Sequence, residues 1–244
     1  MDDIFLLSVL IFAAGLLYSS VGHAGASGYL AAMALFGLAP DIMKPTALLL
    51  NILVASIATL QFYRAGYFSW NIFWPFAAGS IPFAFIGGAL SLPGSVYRQV
   101  LGLVLLFAAY RLFQFRHSAV TDAFKPVPVL WAMLFGAGIG LLSSAIGVGG
   151  GIFLSPLLLF MGWARTKETA GISAAFILVN SIAGISGHLV SVKFLPDVIY
   201  PWAFAAVFGG IIGSRLGSRR FVNATLYRLL AVVLVIAGAK LILG

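Results

Sequence analysis

Long uncharged stretches dominate this chain, and their lengths predict membrane-spanning helices. Charged residues interrupt the sequence only at wide intervals, so that uncharged stretches cover residues 4–40, 65–97 and 126–164. A helix needs about 20 apolar residues to cross a bilayer, whereas β-barrel strands would be alternating segments of about 10 residues, so the pattern indicates helices. Single spans are predicted at residues 46–63, 71–92, 97–112, 169–188, 199–217 and 226–243.

Two of these stretches, residues 4–40 and 126–164, are nearly twice as long as one span requires. Each contains a glycine cluster, at residues 22–28 (GHAGASG) and 147–151 (GVGGG). Glycine destabilises a helix by about 1 kcal/mol relative to alanine and admits backbone conformations that other residues avoid. We therefore predict in each stretch a helix, a glycine-rich break and a short second helix, which begins near Tyr29 or Ile152.

The two breaks lie at matching positions, which predicts an internal duplication. Residues 17–22 (LYSSVG) align with residues 142–147 (LSSAIG), and Gly25 aligns with Gly150. We divide the chain into an N-terminal repeat (residues 1–113), a connecting loop (114–125) and a C-terminal repeat (126–244) within a single domain. Each repeat is expected to contain one glycine-broken helical hairpin and three membrane-spanning helices.

Charge placement favours an inverted relationship between the repeats. If each broken segment enters and leaves on the same side of the membrane, three crossings remain per repeat, and this odd number turns the second repeat upside down. Most of the 14 Lys and Arg residues then share one side, and only Lys44, Arg98, Lys193 and Lys240 lie on the other. The positive-inside rule expects such an imbalance. The same parity would follow if the short helices crossed completely.

Composition supports the membrane assignment and excludes other classes. Of the 244 residues, 62% are hydrophobic and 8% charged, against about 45–50% and 25% in soluble domains. The net charge of +8 is spread between apolar runs, which indicates loops beside lipid rather than a nucleic-acid surface. The absence of cysteine excludes disulfides and thiol catalysis. We expect a multi-pass protein of a prokaryotic cytoplasmic membrane with no cofactor and no bound metal.

Inverted repeats would bring the two breaks together near the middle of the membrane, where non-helical backbone persists only inside protein or beside water. The free N–H groups at the starts of the two short helices favour an anion. The neutral side chains nearby suit a small oxyanion that must be released, and His23 can titrate near neutral pH and couple a proton. The candidate substrate-binding residues are Gly22, His23, Gly25, Ser27, Gly28, Asn51, Gly147, Gly149, Gly150, Gly151, Asn180 and Ser181.

Structural roles compete with each of these assignments. Glycines in membrane helices also permit close helix packing, and serines often bond to the backbone of their own helix. Asn51 and Asn180 can instead form hydrogen bonds between helices.

Several of these segments together resemble the sulfite exporter TauE/SafE family. The residues that carry the resemblance are 146–151 (IGVGGG), which run into 153–157 (FLSPL), and 180–184 (NSIAG), in a duplicated chain without cysteine. The first break departs from the second, with His23 and Ala26 where the second has Val148 and Gly151. The resemblance implies a membrane transporter of sulfite, sulfonates or related anions, in either direction.

The leading hypothesis is a secondary transporter, not an enzyme, that alternates access to an anion site at the midplane of the membrane. Its partners would be the anion, lipid and a coupling proton, and a homodimer is also compatible with the sequence. One alternative is an intramembrane serine protease, because residues 25–28 (GASG) place Ser27 in a Gly-x-Ser-Gly pattern and His188 could act as its base. A second alternative is a passive anion channel.

Overall fold

A computed structural model describes residues 2–114, 125–192, 199–219 and 224–243. These residues form ten helices and no strand, and the predicted all-helical membrane fold is confirmed. The helices are α1 (Asp2–Ser19), α2 (Ala26–Leu35), α3 (Pro40–Arg64), α4 (Trp70–Ala89), α5 (Gly94–Gln114), α6 (Val129–Ile146), α7 (Gly151–Met161), α8 (Thr166–Val192), α9 (Ile199–Arg219) and α10 (Ala224–Leu243). By length and hydropathy alone, α3, α4, α6, α8 and α9 can cross a membrane.

The predicted single spans correspond to α3, α4, α5, α8, α9 and α10, and differ from them mainly at the ends. Helix α3 begins at Pro40 rather than at residue 46, because proline is well tolerated in the first turn, where its missing N–H has no partner in the helix. Helix α4 ends at Ala89 rather than at residue 92, since Leu90 is extended.

The first short helix begins three residues earlier than predicted, and the second begins within one residue of its predicted start. Helix α2 begins at Ala26 and α7 at Gly151, whereas the sequence predicted starts near Tyr29 and Ile152. The glycine before each helix adopts a positive φ, 112° before α2 and 90° before α7, and this turn lets the helix start at once. Part of each predicted break is therefore the first turn of a helix.

Two pairs of helices lie side by side in the same direction, α1 with α9 and α4 with α6. In both pairs, glycines allow the backbones to approach so closely that a β-carbon would meet the neighbouring main chain. The contacts that define the directions are Gly209–Phe12 and Gly217–Ser20 in the first pair, and Gly136–Phe76 and Gly87–Ala145 in the second. Each pair joins one helix from either half, so the predicted repeats interleave instead of packing as separate bodies.

Helices α3 and α8 pack against each other in opposite directions. Leu48, early in α3, lies near Gly184, late in α8, and Phe62 lies near Gly171. We call the end of the bundle where α3 begins the Lys44 side, and the end where it finishes the Arg64 side. Charge placement predicts that the Arg64 side is cytoplasmic.

The breaks approach this central pair from opposite sides. Gly22, after α1, abuts the backbone of Ala170 at the start of α8, and Gly147, after α6, abuts Lys44 near the start of α3. Each break therefore packs against the helix that follows the short helix of the other half. These directions agree with inverted repeats, while a common origin of the halves and the repeat boundaries stay predictions.

The close approach of α4 and α6 can be tested at Gly79. A β-carbon there would overlap the Met133 backbone, so Gly79→Ala is expected to destabilise the protein by about 1–3 kcal/mol. Gly138→Ala, on the exposed side of α6 with no atom within 4 Å, is the matched control and should be neutral or slightly stabilising. Thermal unfolding in detergent measures both, and equal midpoints would contradict the packing.

Candidate functional site

The two breaks meet inside the bundle through His23. Its Nε2 atom lies 3.0 Å from the Gly151 carbonyl oxygen and 2.9 Å from Ser155 Oγ. Ser155 Oγ lies 2.7 Å from Ser173 Oγ of α8. A hydrogen-bonded chain thus connects the first break to α7 and to α8.

The second break is formed around Gly149. Gly149 and Gly150 have φ angles of 80° and 90°, which residues with side chains rarely adopt. A β-carbon on Gly149 would lie 2.8 Å from Asn51 Nδ2 and 3.0 Å from both Ser181 Oγ and Ile177 Cγ2. The side chains of α3 and α8 therefore converge on bare backbone.

Asn51 and Ser181 are fully buried at this point and retain hydrogen-bonding capacity. Asn51 Nδ2 donates to the Val148 carbonyl at 3.4 Å, a long bond. Asn51 Oδ1 and Ser181 Oγ have no partner among the described residues. An unpaired buried polar group costs about 1–3 kcal/mol, so a bound water or ligand that pairs with these atoms would be favoured.

Both short helices direct their N-termini into one small cavity between the breaks. Its volume is about 10 Å³, which suffices for roughly one water molecule. Neither helix has a side-chain cap at its N-terminus, so N–H groups of the first turns remain available. No lining residue is acidic; the cavity is lined by Tyr18, His23, Ala24, Gly25, Ala26, Ser27, Val148, Ile152 and Ile177.

A larger cavity of about 280 Å³ opens on the Lys44 side, next to the second break. Buried Lys44 lines it, and its Nζ donates to the carbonyls of Gly88 at 2.8 Å and Leu90 at 2.9 Å, at the end of α4. Tyr97 also lines it and donates through its hydroxyl to the Ile146 carbonyl at 3.0 Å, at the end of α6. Two polar side chains therefore satisfy the helix ends beside this cavity.

The structure places the predicted site residues in three groups. His23, Gly25, Ser27, Asn51, Gly149, Gly151 and Ser181 lie at the small cavity or at the contact around Gly149. Four of the glycines are in close packing contact with a neighbour. Gly22 packs against Ala170, and Gly28 packs against Ala14 and Tyr18. Gly147 packs against Lys44, and Gly150 packs against Phe176. Asn180 donates to the Phe176 carbonyl within its own helix at 2.9 Å, and its Oδ1 is buried without a described partner.

The serine protease arrangement receives no support from the geometry. Ser27 lines the small cavity between the breaks, whereas His188 lines the larger cavity on the Lys44 side. The histidine that shares a cavity with Ser27 is His23, and its Nε2 atom contacts Gly151 and Ser155 instead.

Ser155 is the site residue that sequence reasoning missed. It lies one helical turn after Gly151, so it faces the same side of α7 as the break, and this spacing could have indicated it. The role of Lys44 at the end of α4 had no sequence signal, because it depends on contact between helices.

Comparison with known proteins agrees with this architecture. The family model described as sulfite exporter TauE/SafE matches residues 7–241. A probable membrane transporter protein, y4hK of Sinorhizobium fredii, is 41% identical over 239 residues, which cover 97% of both chains. A second one, YunE of Bacillus subtilis, is 27% identical over 107 residues, 43% of this chain and 38% of YunE. No solved structure gives a significant match.

These matches, together with several apolar helices long enough to cross a bilayer, describe a multi-pass protein of the bacterial cytoplasmic membrane. The family match covers nearly the whole chain, including both breaks and the helices around them. The chain therefore belongs to the sulfite exporter TauE/SafE family of membrane transporters.

Proposed function

We propose that this protein is a secondary transporter for small anions, with sulfite, sulfonates and related sulfur oxyanions as its substrates. The observation that carries the proposal is the cavity between the breaks, where two uncapped helix N-termini meet without an acidic side chain among the lining residues. Free N–H groups and the positive ends of two helix dipoles attract an anion. The family supports the sulfur-containing class of substrate.

Neutral donors suit transport because the anion must leave as readily as it arrives. Hydrogen bonds to an arginine or lysine are roughly twice as strong as neutral ones and would retain the substrate. The donors here are backbone N–H groups, the Ser181 hydroxyl and the N–H of the Asn51 amide that does not donate to Val148. Conduction requires such moderate binding.

The positions of the cavities support alternating access as the proposed mechanism. The small cavity is too small for a sulfur oxyanion, and the residues that line the larger cavity lie on the Lys44 side. We propose that substrate enters from one side, that the breaks separate to hold it, and that the inverted halves then expose it to the other side. Because the chain contains no ATP-binding motif, an ion gradient would drive this cycle, and His23 is the proposed proton carrier.

Substrate identity is tested by flux into proteoliposomes that contain the purified protein. We expect saturable uptake of sulfite or an organosulfonate, stimulated by an opposing gradient of the same anion. Sulfate, thiosulfate, taurine, sulfoacetate and simple carboxylates form the comparison panel. Flux that neither saturates nor responds to the opposing gradient would instead indicate a passive channel.

Gly149→Ala tests whether transport requires the space that the missing side chain leaves at the second break. The added methyl group would lie 2.8 Å from Asn51 Nδ2, so it should abolish saturable uptake. Gly66→Ala is the matched control, because Gly66 has a φ of 78° against 80° for Gly149 but has no atom within 4 Å of its β-carbon position. Both variants carry similar backbone strain, about 1–2 kcal/mol. Loss of uptake in both would assign the effect to strain.

Proton coupling is tested by His23→Gln. If His23 carries the proton, a pH gradient should drive wild-type uptake, and the variant should lose this response while it keeps exchange of anion for anion. His117→Gln, in the predicted connecting loop, serves as the control. An unchanged pH profile in His23→Gln would remove His23 from coupling.

A further inference from the structure

One face of α8 carries a row of polar residues with a single apolar member. Thr169, Ser173, Ile177 and Ser181 follow one another at four-residue spacing, and His188 lies two turns beyond Ser181, so all five share a face. All five side chains are buried. The row extends from the Arg64 side, where α8 begins, to the Lys44 side.

At the Lys44 end of the row, one residue reaches the larger cavity. His188 lines that cavity. Ser181 meets Asn51 at Gly149, in the second break. The hydroxyl of Ser181 and Oδ1 of Asn51 are two of the buried atoms without a described partner.

The part of the row towards the Arg64 side is connected to His23. Ser173 Oγ lies 2.7 Å from Ser155 Oγ, which lies 2.9 Å from His23 Nε2. One turn further on, the buried hydroxyl of Thr169 has no described partner. Polar groups therefore continue towards the start of α8.

Ile177 separates these two polar parts. Its Cγ2 atom is 3.0 Å from the position of a β-carbon on Gly149, next to Asn51 and Ser181. Its Cγ1 atom is 2.7 Å from the corresponding position on Gly151, where the His23 ring lies at 3.0 Å on Cδ2. The side chain, 2% exposed, also lines the small cavity.

We propose that this face of α8 lines the anion pathway and that Ile177 is the apolar barrier that closes it in the structure described here. The inference rests on the proposed transport function. An aliphatic side chain offers no hydrogen bond to a hydrated anion, and hydrophobic constrictions close pores by excluding water. Passage of substrate from Ser181 to Ser173 then requires Ile177 to move away from Gly149 and Gly151.

The barrier is tested by single-cysteine labelling, because the chain has no cysteine of its own. Variants with cysteine at residues 169, 173, 181 and 188 are treated with a membrane-impermeant methanethiosulfonate in vesicles of both orientations. We expect His188→Cys and Ser181→Cys to react at least about tenfold faster from the Lys44 side, and Ser173→Cys and Thr169→Cys from the Arg64 side, because a dehydrated constriction blocks the reagent. Ile172→Cys, fully buried in the same helix but in a different apolar cluster, should react from neither side.

Shortening the barrier residue provides a second measurement. Ile177→Ala should let the reagent reach Ser173→Cys from the Lys44 side, and it should add a non-saturable component to sulfite efflux from proteoliposomes. Ile172→Ala removes the same atoms from another buried position of α8 and should do neither. The proposal would be overturned if the cysteines at residues 169, 173, 181 and 188 all reacted from the same side, or if Ile172→Cys reacted as fast as they do.

The two proposals fail separately. Labelling does not depend on substrate. If the side from which the reagent reaches the cysteines changes at Ile177 but anion flux is not saturable, the barrier is retained and the transport assignment is overturned. Saturable flux without such a change would retain the transporter and overturn the role of Ile177.

Discussion

Backbone N–H and C=O groups cannot remain unpaired in hydrocarbon, and this constraint governs every unusual feature of the bundle. The two interrupted segments persist because other helices and side chains enclose them. At the end of α6, the Tyr97 hydroxyl donates a hydrogen bond to the Ile146 carbonyl, and the Val148 N–H donates to the Ser143 carbonyl at 2.8 Å. At the first break, the His23 N–H bonds to the Tyr18 carbonyl at 3.0 Å. His23 Nδ1, Asn51 Oδ1 and Ser181 Oγ are among the buried atoms without a partner in the described residues, and they lie where the breaks face each other. The proposed ligand would bind beside these atoms.

Close packing by glycine supplies the enclosure. Along α1 and α9, and along α4 and α6, glycines bring the backbones together so that these pairs form a compact frame around α3 and α8. The same residue type thus has two distinct uses in one chain. Gly79 and Gly217 permit helix contact, whereas Gly149 has a positive φ and leaves its backbone open to Asn51 and Ser181.

The two breaks are related in position but differ in chemistry. The first carries His23, which reaches across to α7, while the second offers bare backbone to neutral side chains from α3 and α8. A site assembled from both combines a titratable group with neutral donors, and both halves contribute to it. Movement of one half relative to the other would change both sets of contacts together, as alternating access requires.

The helical membrane class, the two interruptions and the family can be predicted from the sequence, because hydropathy, glycine clusters and short motifs are local properties of the chain. The sequence also indicated His23, Asn51 and Ser181 as candidates, since polar residues in apolar helices need partners. The packing of the helices reveals the rest: which glycines pack against a neighbour and which leave their backbone open, that Ser155 bonds to His23, and that Lys44 bonds to the end of α4. It also places Ile177 between two polar groups. The physical reason is that these roles depend on distances between helices far apart in the chain, and no local pattern encodes them.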